Sequence, residues 1–320
     1  MTYTMLDRRT MLAWLAAAAA GPVLAAYPER TIKIVSPLAA GGSSDFIARL
    51  LAGRIEAAFK QPCIVENRPG AGSIVGVDYV AKAAPDGYTL AYLSSAITIQ
   101  PAVMKLPYDL QRDLQPVSMV IKVPYILAAR SDSKYNSLDD VVAAARRGEP
   151  ITYGTYGAGT PPHLIMELIQ SRLNVKFTHV PYKTNGSQLI DLLGGQLDVM
   201  WDPPVSMLGH IRAGKLKPLA TSGKERAFFL PQVRALGETA SGLEVIGWGA
   251  LMAPAKVPKD KIDALQKVVA SAVFHPEVES KLRDQGFTPV GSTAEELGQV
   301  IQDELVAWKT LVRERNIHVD

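Results

Sequence analysis

The chain has 320 residues, 48% of them hydrophobic and 20% charged, with a formal net charge of +3. That is a globular composition, long enough for two α/β domains with separate cores. The even charge balance argues against nucleic acid or an anionic membrane surface as partner. A single cysteine, Cys63, excludes a disulfide framework and a cysteine-based zinc site.

The N-terminus reads as an export signal. In "MTYTMLDRRTMLAWLAAAAAGPVLAAYPER" the pair Arg8–Arg9 precedes an uncharged stretch from Met11 to Ala26. That stretch is interrupted by Gly21 and Pro22 and falls short of the roughly 20 apolar residues of a membrane span. Residues 1–26 are expected to be removed by cleavage near Ala25 or Ala26. The paired arginines resemble a twin-arginine signal, with an ordinary Sec signal as the alternative because Asp7 precedes them. The expected location is the periplasm.

Strand and helix patterns then alternate, which predicts α/β layering with a largely parallel sheet. "TIKIVSPL" is a short β-branched run ending at Pro37, followed by "AAGGSSD" and a helix with Phe46, Ile47, Leu50, Leu51, Ile55 and Phe59 on one face. "PCIVENRPGAGS" and "PDGYTLAYLSS" each read as a strand running into a loop, so Cys63 is expected to be a buried structural thiol. "VPYILAARSD" is a further strand and "SLDDVVAAARRG" a short helix. "ITYGTYGAGTPPHLIMELIQ" repeats the opening order of strand, glycine-rich bend and amphipathic helix. "FTHVPYKTNGSQLIDLLGGQLDVMWD" gives strand, loop, helix, turn and strand, and "LKPLATSG" and "GLEVIGWGALMAP" are strands. The tail is helical, with a capping-box spacing in "TAEE" at residues 293–296 and an apolar face of Leu297, Val300, Ile301, Trp308, Leu311 and Val312.

Two strand–glycine–helix units predict two similar domains whose glycine-rich strand ends face each other. "PYILAA" and "IGWGALMA" are the expected crossings, placing residues 27–124 and 248–320 in the first domain and 125–247 in the second. In open α/β sheets ligands sit beyond the carboxyl ends of strands, where helix N-termini offer unpaired N–H groups. Thr160 is a suitable N-cap and Pro161 a suitable first helical residue. The expected outward donors are therefore the amides of Gly157, Ala158, Gly159 and Thr160. In the first unit Gly41, Gly42, Ser43 and Ser44 open a helix in the same way, and Asp45 is read as a partner of the helix dipole.

Other signals point less clearly to chemistry. "GAGSIVG" has Val75 where a dinucleotide fingerprint needs its third glycine, which argues against a Rossmann cofactor site. His163 and Glu167 have metal-ligand spacing, but no second pair exists among five histidines, so no metal and no other cofactor is expected. His163 is read instead as a donor near the cleft or a capping-region residue. No G-x-S-x-G elbow is present and Cys63 has no neighbouring base, so no catalytic residue is assigned. Asp202 ends a strand and is a candidate for the cleft, as are Tyr182 and Lys183 in the loop after another.

Taken in order, "IVSPLAAGGSSDFIARLLAGRI", "QPCIVENRPGAGSIVG", "APDGYTL", "YGTYGAGTPPHLIMELI", "HVPYKTNGSQLIDLLGGQLDVMWD" and "FTPVGSTAEEL" resemble the Bug-type solute receptors of tripartite tricarboxylate transporters. The resemblance covers essentially all of the chain after the signal. It implies a two-domain, periplasmic-binding-protein type II (Venus flytrap) fold that closes over a small organic carboxylate, held by main-chain donors and ordered waters. It further implies delivery to one large and one small integral membrane subunit. The family's binding loops fall on Pro37, Gly41, Gly42, Ser43 and Ser44, on Ser94, Ser95 and Ala96, and on Thr155, Gly157, Ala158, Gly159, Thr160 and His163. Tyr182, Lys183 and Asp202 complete the implied site. The chain departs from the family pattern at Ala39 and Ala40, often prolines, at Thr184, often glycine, and at Trp201, often phenylalanine. Those positions bear on which carboxylate is taken, and Trp201 is open to either aromatic stacking or core packing. A monomeric, non-enzymatic receptor is expected. The rival readings are a sensor presenting its ligand to a membrane signalling partner, and an exported hydrolase or lyase.

Overall fold

The computed structural model describes residues 27–182 and 184–317, so the expected export signal and Lys183 lie outside the described residues. The first half runs β1 (Ile32–Ser36), α1 (Ser43–Phe59), β2 (Cys63–Asn67), α2 (Ile74–Ala81), β3 (Thr89–Ser94), α3 (Ala96–Val103), α4 (Leu110–Asp113) and β4 (Leu114–Pro124). There follow β5 (Ile126–Arg130), α5 (Leu138–Arg146), β6 (Thr152–Thr155), α6 (Pro161–Leu173), β7 (Thr178–Pro181), α7 (Asn185–Gly194), β8 (Val199–Asp202), α8 (Pro204–Arg212), β9 (Leu216–Thr221) and α9 (Leu236–Thr239). The chain ends with β10 (Ile246–Pro254), α10 (Lys259–Val273), α11 (Pro276–Asp284), β11 (Thr288–Pro289) and α12 (Ala294–Arg315).

The strands form two sheets, ordered β11-β4-β10-β3-β1-β2 and β7-β6-β8-β5-β9 among the described residues. Each sheet defines one domain of the two-domain α/β fold. Strand β1 lies parallel to β2 and β3, and its β-branched Ile32, Ile34 and Val35 are buried on both faces, as a strand covered by two helical layers requires. Helix α1 buries Ile47, Leu51 and Ile55 against that sheet, while Phe46, Leu50 and Phe59 are partly buried at the edge of the same cluster. The longest strand, β4, was not anticipated from the sequence. It pairs with β10 along its whole length and puts Val117, Val120 and Ile121 in the core of the first domain.

The chain changes sheets at Tyr125, between β4 and β5, and returns between Ser222 and Ile246, where β10 already pairs with Pro124. Ser222, completely buried, ties the two crossings together. Its Oγ accepts from the Tyr125 N–H at 2.8 Å and donates to the Val245 carbonyl. Its own N–H donates to the Tyr125 carbonyl at 2.9 Å, and its carbonyl accepts from the Val245 N–H at 2.8 Å. One serine thus holds three backbone segments in register at the hinge.

Helix α12 starts with the expected capping box. Thr293 Oγ1 accepts from the Glu296 N–H at 3.1 Å, and Glu296 Oε2 accepts from the Thr293 N–H at 2.9 Å. Its first half buries Leu297 and Ile301 in the first domain. Its last turns reach the second: Leu311 and Val312 share a buried cluster with Leu164 of α6, Ile99 of α3 and Ile317, and Arg315 Nε lies 3.0 Å from Glu167 Oε2. The 22-residue helix therefore straps the two domains together.

Candidate functional site at the hinge

Strand register places the site. Ser94, at the end of β3, pairs with Gly249, which pairs with Ile121, only three residues before β4 ends at Pro124. In the other sheet Asp202, the last residue of β8, pairs with Ile126, the first residue of β5. The carboxyl ends of β3 and β8 thus approach the hinge from opposite sides, which is where an open α/β sheet binds ligands.

On the first domain, Pro37 is buried under α2, where a Cβ on Gly76 would stand 2.7 Å from the Pro37 Cβ. That contact requires glycine and seats the loop leading to α1. Gly41 adopts φ +84°, and its N–H donates to Asp45 Oδ2 at 3.0 Å; Arg49 Nε donates to the same oxygen at 3.0 Å. These bonds, set against some desolvation, hold the Asp45 carboxyl down at about 2. Asp45 is therefore a loop staple, and the expectation of a free Gly41 donor is corrected. The amides of Gly42, Ser43 and Ser44 take no partner among the described residues. The Ser95 N–H is spent on the Trp248 carbonyl at 2.9 Å, and its carbonyl accepts from Thr98. The Ser95 side chain lies against the phenol of Tyr125, and Ala96 is the first residue of α3.

On the second domain the loop between β6 and α6 folds onto itself. Gly157 and Gly159 take φ +128° and +71°, conformations that other residues rarely adopt, and this permits the hook. The Gly157 N–H donates to Thr155 Oγ1 at 3.2 Å, and its carbonyl accepts from Thr160 Oγ1 at 2.7 Å. The Gly159 N–H donates to His163 Nδ1 at 3.0 Å. The two glycine amides are thus internal fasteners, and the expected donors left without a partner among the described residues are those of Ala158 and Thr160. Glycine serves here to bend the loop so that other amides face outward.

Of the two readings of His163, the structure gives the capping-region residue, which anchors the loop before α6, and not the cleft donor. It is buried, stacks on His179 with ring centres 4.4 Å apart, and His179 in turn stacks on Tyr153 at 5.0 Å. Burial holds its pKa below the usual histidine value, against a smaller opposing pull from Glu167. Burial, with a contribution from His163, holds His179 down to about 4, so both rings pack as neutral groups. Thr155 Oγ1 lies 2.7 Å from His179 Nε2, which locks the end of β6. Among the described residues no group of acids, histidines or cysteine is arranged to hold a metal.

Tyr182 also departs from expectation. Its hydroxyl donates to Asp191 Oδ2 at 2.8 Å and its N–H to the Thr155 carbonyl at 2.8 Å, so it braces α7 against β6. Burial and the Asp191 bond push the phenol up to about 12.

Asp202 is completely buried, and no ion pair reaches it among the described residues. Its Oδ2 accepts from Asn185 Nδ2 at 2.8 Å and from Ser206 Oγ, at the first turns of α7 and α8. Its Oδ1 has no partner among the described residues. Desolvation pushes the carboxyl up to about 7, only partly offset by those two donors. Two tyrosines that the sequence reading passed over, Tyr125 at the hinge and Tyr156 in the β6–α6 loop, couple electrostatically to Asp202. Burial raises both phenols, so both stay protonated and neutral. The available signal was position alone: one lies within the expected crossing "PYILAA" and the other sits inside the glycine-rich bend.

The remaining candidates are structural. Cys63 is buried and its thiol is pushed up to about 12, by burial first and by Glu56 second. Trp201 is in the core, its Nε1–H donating to Met166 Sδ at 3.2 Å, which settles its open reading as packing. Asp198 accepts from the Thr152 N–H at 2.8 Å and from its hydroxyl at 2.7 Å, pinning β6 beside β8. A cavity of about 950 Å³ lies between β4, the start of β10, α6 and α12, and none of the sequence-predicted site residues lines it.

Two α/β domains joined by crossing strands, with loops from both converging on the crossing, define a solute-binding protein of the periplasmic type. Residues 47–317 match the tripartite tricarboxylate transporter family receptor, TctC, and the chain belongs to that family. It is 36% identical over 305 residues to BugT of Bordetella pertussis, covering 92% of each chain. Among solved structures it resembles an R. palustris protein with adipate, at TM-score 0.80 and 27% identity over 91% of this chain and 99% of that one. It is similar also to MatC from Rhodopseudomonas palustris with bound malate, at TM-score 0.75 and 29% identity over 89% and 100%. Members of this family are solute receptors. No helix among the described residues is long and apolar enough to cross a membrane.

Proposed function

We propose that this protein is an exported, periplasmic receptor that captures a small organic carboxylate at the hinge and delivers it to the large and small membrane subunits of a tripartite transporter. Export by the signal in residues 1–26, with cleavage near Ala25 or Ala26, belongs to the same reading. So does movement of residues 27–124 with 248–320 against residues 125–247 as two lobes. The observation that carries the proposal is the set of amides at Gly42, Ser43, Ser44, Ala158 and Thr160 that have no partner among the described residues and flank strand ends converging from two domains. Such donors suit a carboxylate, because charge-assisted hydrogen bonds contribute about 1.5–3 kcal/mol each. A ligand held by amides of both domains favours the arrangement that brings them together, so binding drives closure. The adipate and malate of its structural neighbours are acids of the size this reading requires.

The role is binding without chemistry. Asp202 and two neutral tyrosines do not form a nucleophile–base pair. Isothermal titration of purified protein against dicarboxylates, hydroxy acids and amino acids is expected to give micromolar binding, about −8 kcal/mol, and deletion of the gene is expected to abolish uptake of the bound acid. Heat absent across the whole panel, or turnover of a bound acid, would sink the proposal.

A further inference from the structure

Side chains fasten the loop between β6 and α6, which carries the Ala158 and Thr160 amides. Thr155 Oγ1 accepts from the Gly157 N–H and Thr160 Oγ1 donates to the Gly157 carbonyl, so both of those bonds close within the loop. A third leaves it: the Gly159 N–H donates to His163 Nδ1 at 3.0 Å, in the first turn of α6. An imidazole nitrogen that accepts a hydrogen bond carries no proton, so the neutral ring holds its hydrogen on Nε2. That nitrogen lies 3.8 Å from Glu167 Oε1, one turn along the helix.

Glu167 is in turn shared between helices. Its Oε1 accepts from Gln170 Nε2 at 2.6 Å and its Oε2 from Arg315 Nε at 3.0 Å. Arg315 ends α12, the helix that arrives from the first domain. The groups that face His163 are therefore Glu167 on its own helix, His179 of β7 stacked at 4.4 Å, Tyr153 of β6 at 6.5 Å and, behind Glu167, Arg315 of α12. Tyr153 is kept neutral by burial first and by Glu167 second. His179 is kept neutral by burial and by His163. Glu167 is the anion of that set and draws a proton toward His163, while burial opposes it more strongly.

Building on the carboxylate-receptor reading above, we propose that His163 is a positioning residue of the solute site. Its unprotonated Nδ1 holds the loop whose Ala158 and Thr160 amides meet the solute, and the Arg315–Glu167 pair couples that hold to the docking of α12. Protonation of His163 sets two hydrogens face to face along the Gly159 bond, so the loop loosens and the solute is released as the surroundings acidify. Arg315 acts through charge: paired with Glu167, it mutes the pull of that carboxylate on a proton. When α12 undocks, Glu167 is left free to draw a proton onto His163. The two charges therefore act with opposite sign on the same hydrogen bond.

The test follows amide exchange at Gly159 in the solute-free protein from pH 8 to pH 4, corrected for the intrinsic rate, because protection reports how often the loop opens. Wild-type protection is expected to fall about ten-fold as pH drops below 6.5, the ordinary histidine value, beneath which His163 is held. H163N places an amide oxygen near the position of Nδ1, and is expected to keep most of the protection at pH 8 and to lose little of it on acidification. H163F is expected to lose it at every pH. E167Q is expected to move the wild-type profile to lower pH and R315A to higher pH, a pair of opposed shifts that a merely structural role would not produce. Calorimetry with malate, succinate and aspartate is expected to show affinity falling in step with protection. Asp202 and the acids titrate alike in wild type and H163N, so the difference between those two isolates His163. Coincident profiles for wild type and H163N, or shifts of E167Q and R315A in one direction, would overturn the inference. Should H163F not fold, the opposed shifts decide it. Binding of an acid with the exchange profiles unmoved by any variant would overturn the relay and leave the receptor reading standing. Profiles as expected with none of the acids bound would overturn the receptor reading, and with it the role of His163 toward a solute.

Discussion

Tyr125 and Ser222 stand 97 positions apart in the chain and are joined by two hydrogen bonds, the Tyr125 N–H to Ser222 Oγ at 2.8 Å and the Ser222 N–H to the Tyr125 carbonyl at 2.9 Å. Because Ser222 also exchanges two bonds with Val245, removing its hydroxyl leaves the Tyr125 N–H and the Val245 carbonyl each short of a partner in a buried setting. S222A is expected to lose about 1–3 kcal/mol of stability in urea unfolding. S222T, which keeps the hydroxyl, is expected to recover part of it. An unchanged midpoint for S222A would mean that water satisfies both groups and that the hinge does not depend on this residue.

Leu164 is completely buried in the cluster that joins α6 to α3 and α12. L164A is expected to cost about 2–5 kcal/mol, the usual range for a buried leucine. It should also loosen the strap between the domains. Small-angle scattering of the ligand-free variant is expected to show a larger radius of gyration than the wild type. A variant that is destabilised but scatters identically would show that the cluster packs the domains without setting their separation.

Gly157 sits at φ +128°, although a Cβ added there would make only ordinary contact with Thr160 Cγ2 at 3.8 Å. The cost of G157A is therefore backbone strain, about 1–3 kcal/mol, with no steric clash to confuse it. Refitting the loop would move the amides of Ala158 and Thr160, so ligand affinity is expected to fall ten-fold or more in calorimetry, with the melting temperature lowered only modestly. Unchanged affinity would take this loop out of the site.

The pH profile carries two opposing contributions. Asp202 is raised in the folded protein from its ordinary 3.8 to about 7. The folded state therefore binds its proton more tightly, and the stability that contributes is present below about 3.8 and lost as pH rises through about 7. His179 is lowered from 6.5 to about 4, so its contribution is present above 6.5 and lost as pH falls through about 4. The two partly cancel between pH 4 and 6.5 in the wild type. D202N removes the first, so its stability is expected to fall more steeply on acidification than that of the wild type when both are followed by thermal unfolding from pH 8 to pH 4. Parallel profiles would show that the Asp202 carboxyl titrates as an ordinary exposed acid.

Local patterning was enough to determine the strand–loop–helix units around residues 31–59 and 151–173, the capping box of Thr293 and Glu296, and the burial of Cys63. Each depends on neighbours within a few positions, which periodicity and capping chemistry record. Strand β4 escaped that reading because Gln115, Pro116 and Ser118 break the alternation. Its place in the sheet comes from pairing with β10, more than a hundred residues away. The same holds for the site. That glycines would bend the loops was legible, but which amides those bends would consume was decided by Asp45, Thr155 and His163 folding back onto them. Tyr125, Tyr156 and Asn185 joined Asp202, the acid the sequence had already offered, only when two sheets brought their ends to one hinge. A hydrogen bond between distant residues leaves no periodic trace, so tertiary structure alone decided which polar groups were satisfied and which remained for a ligand.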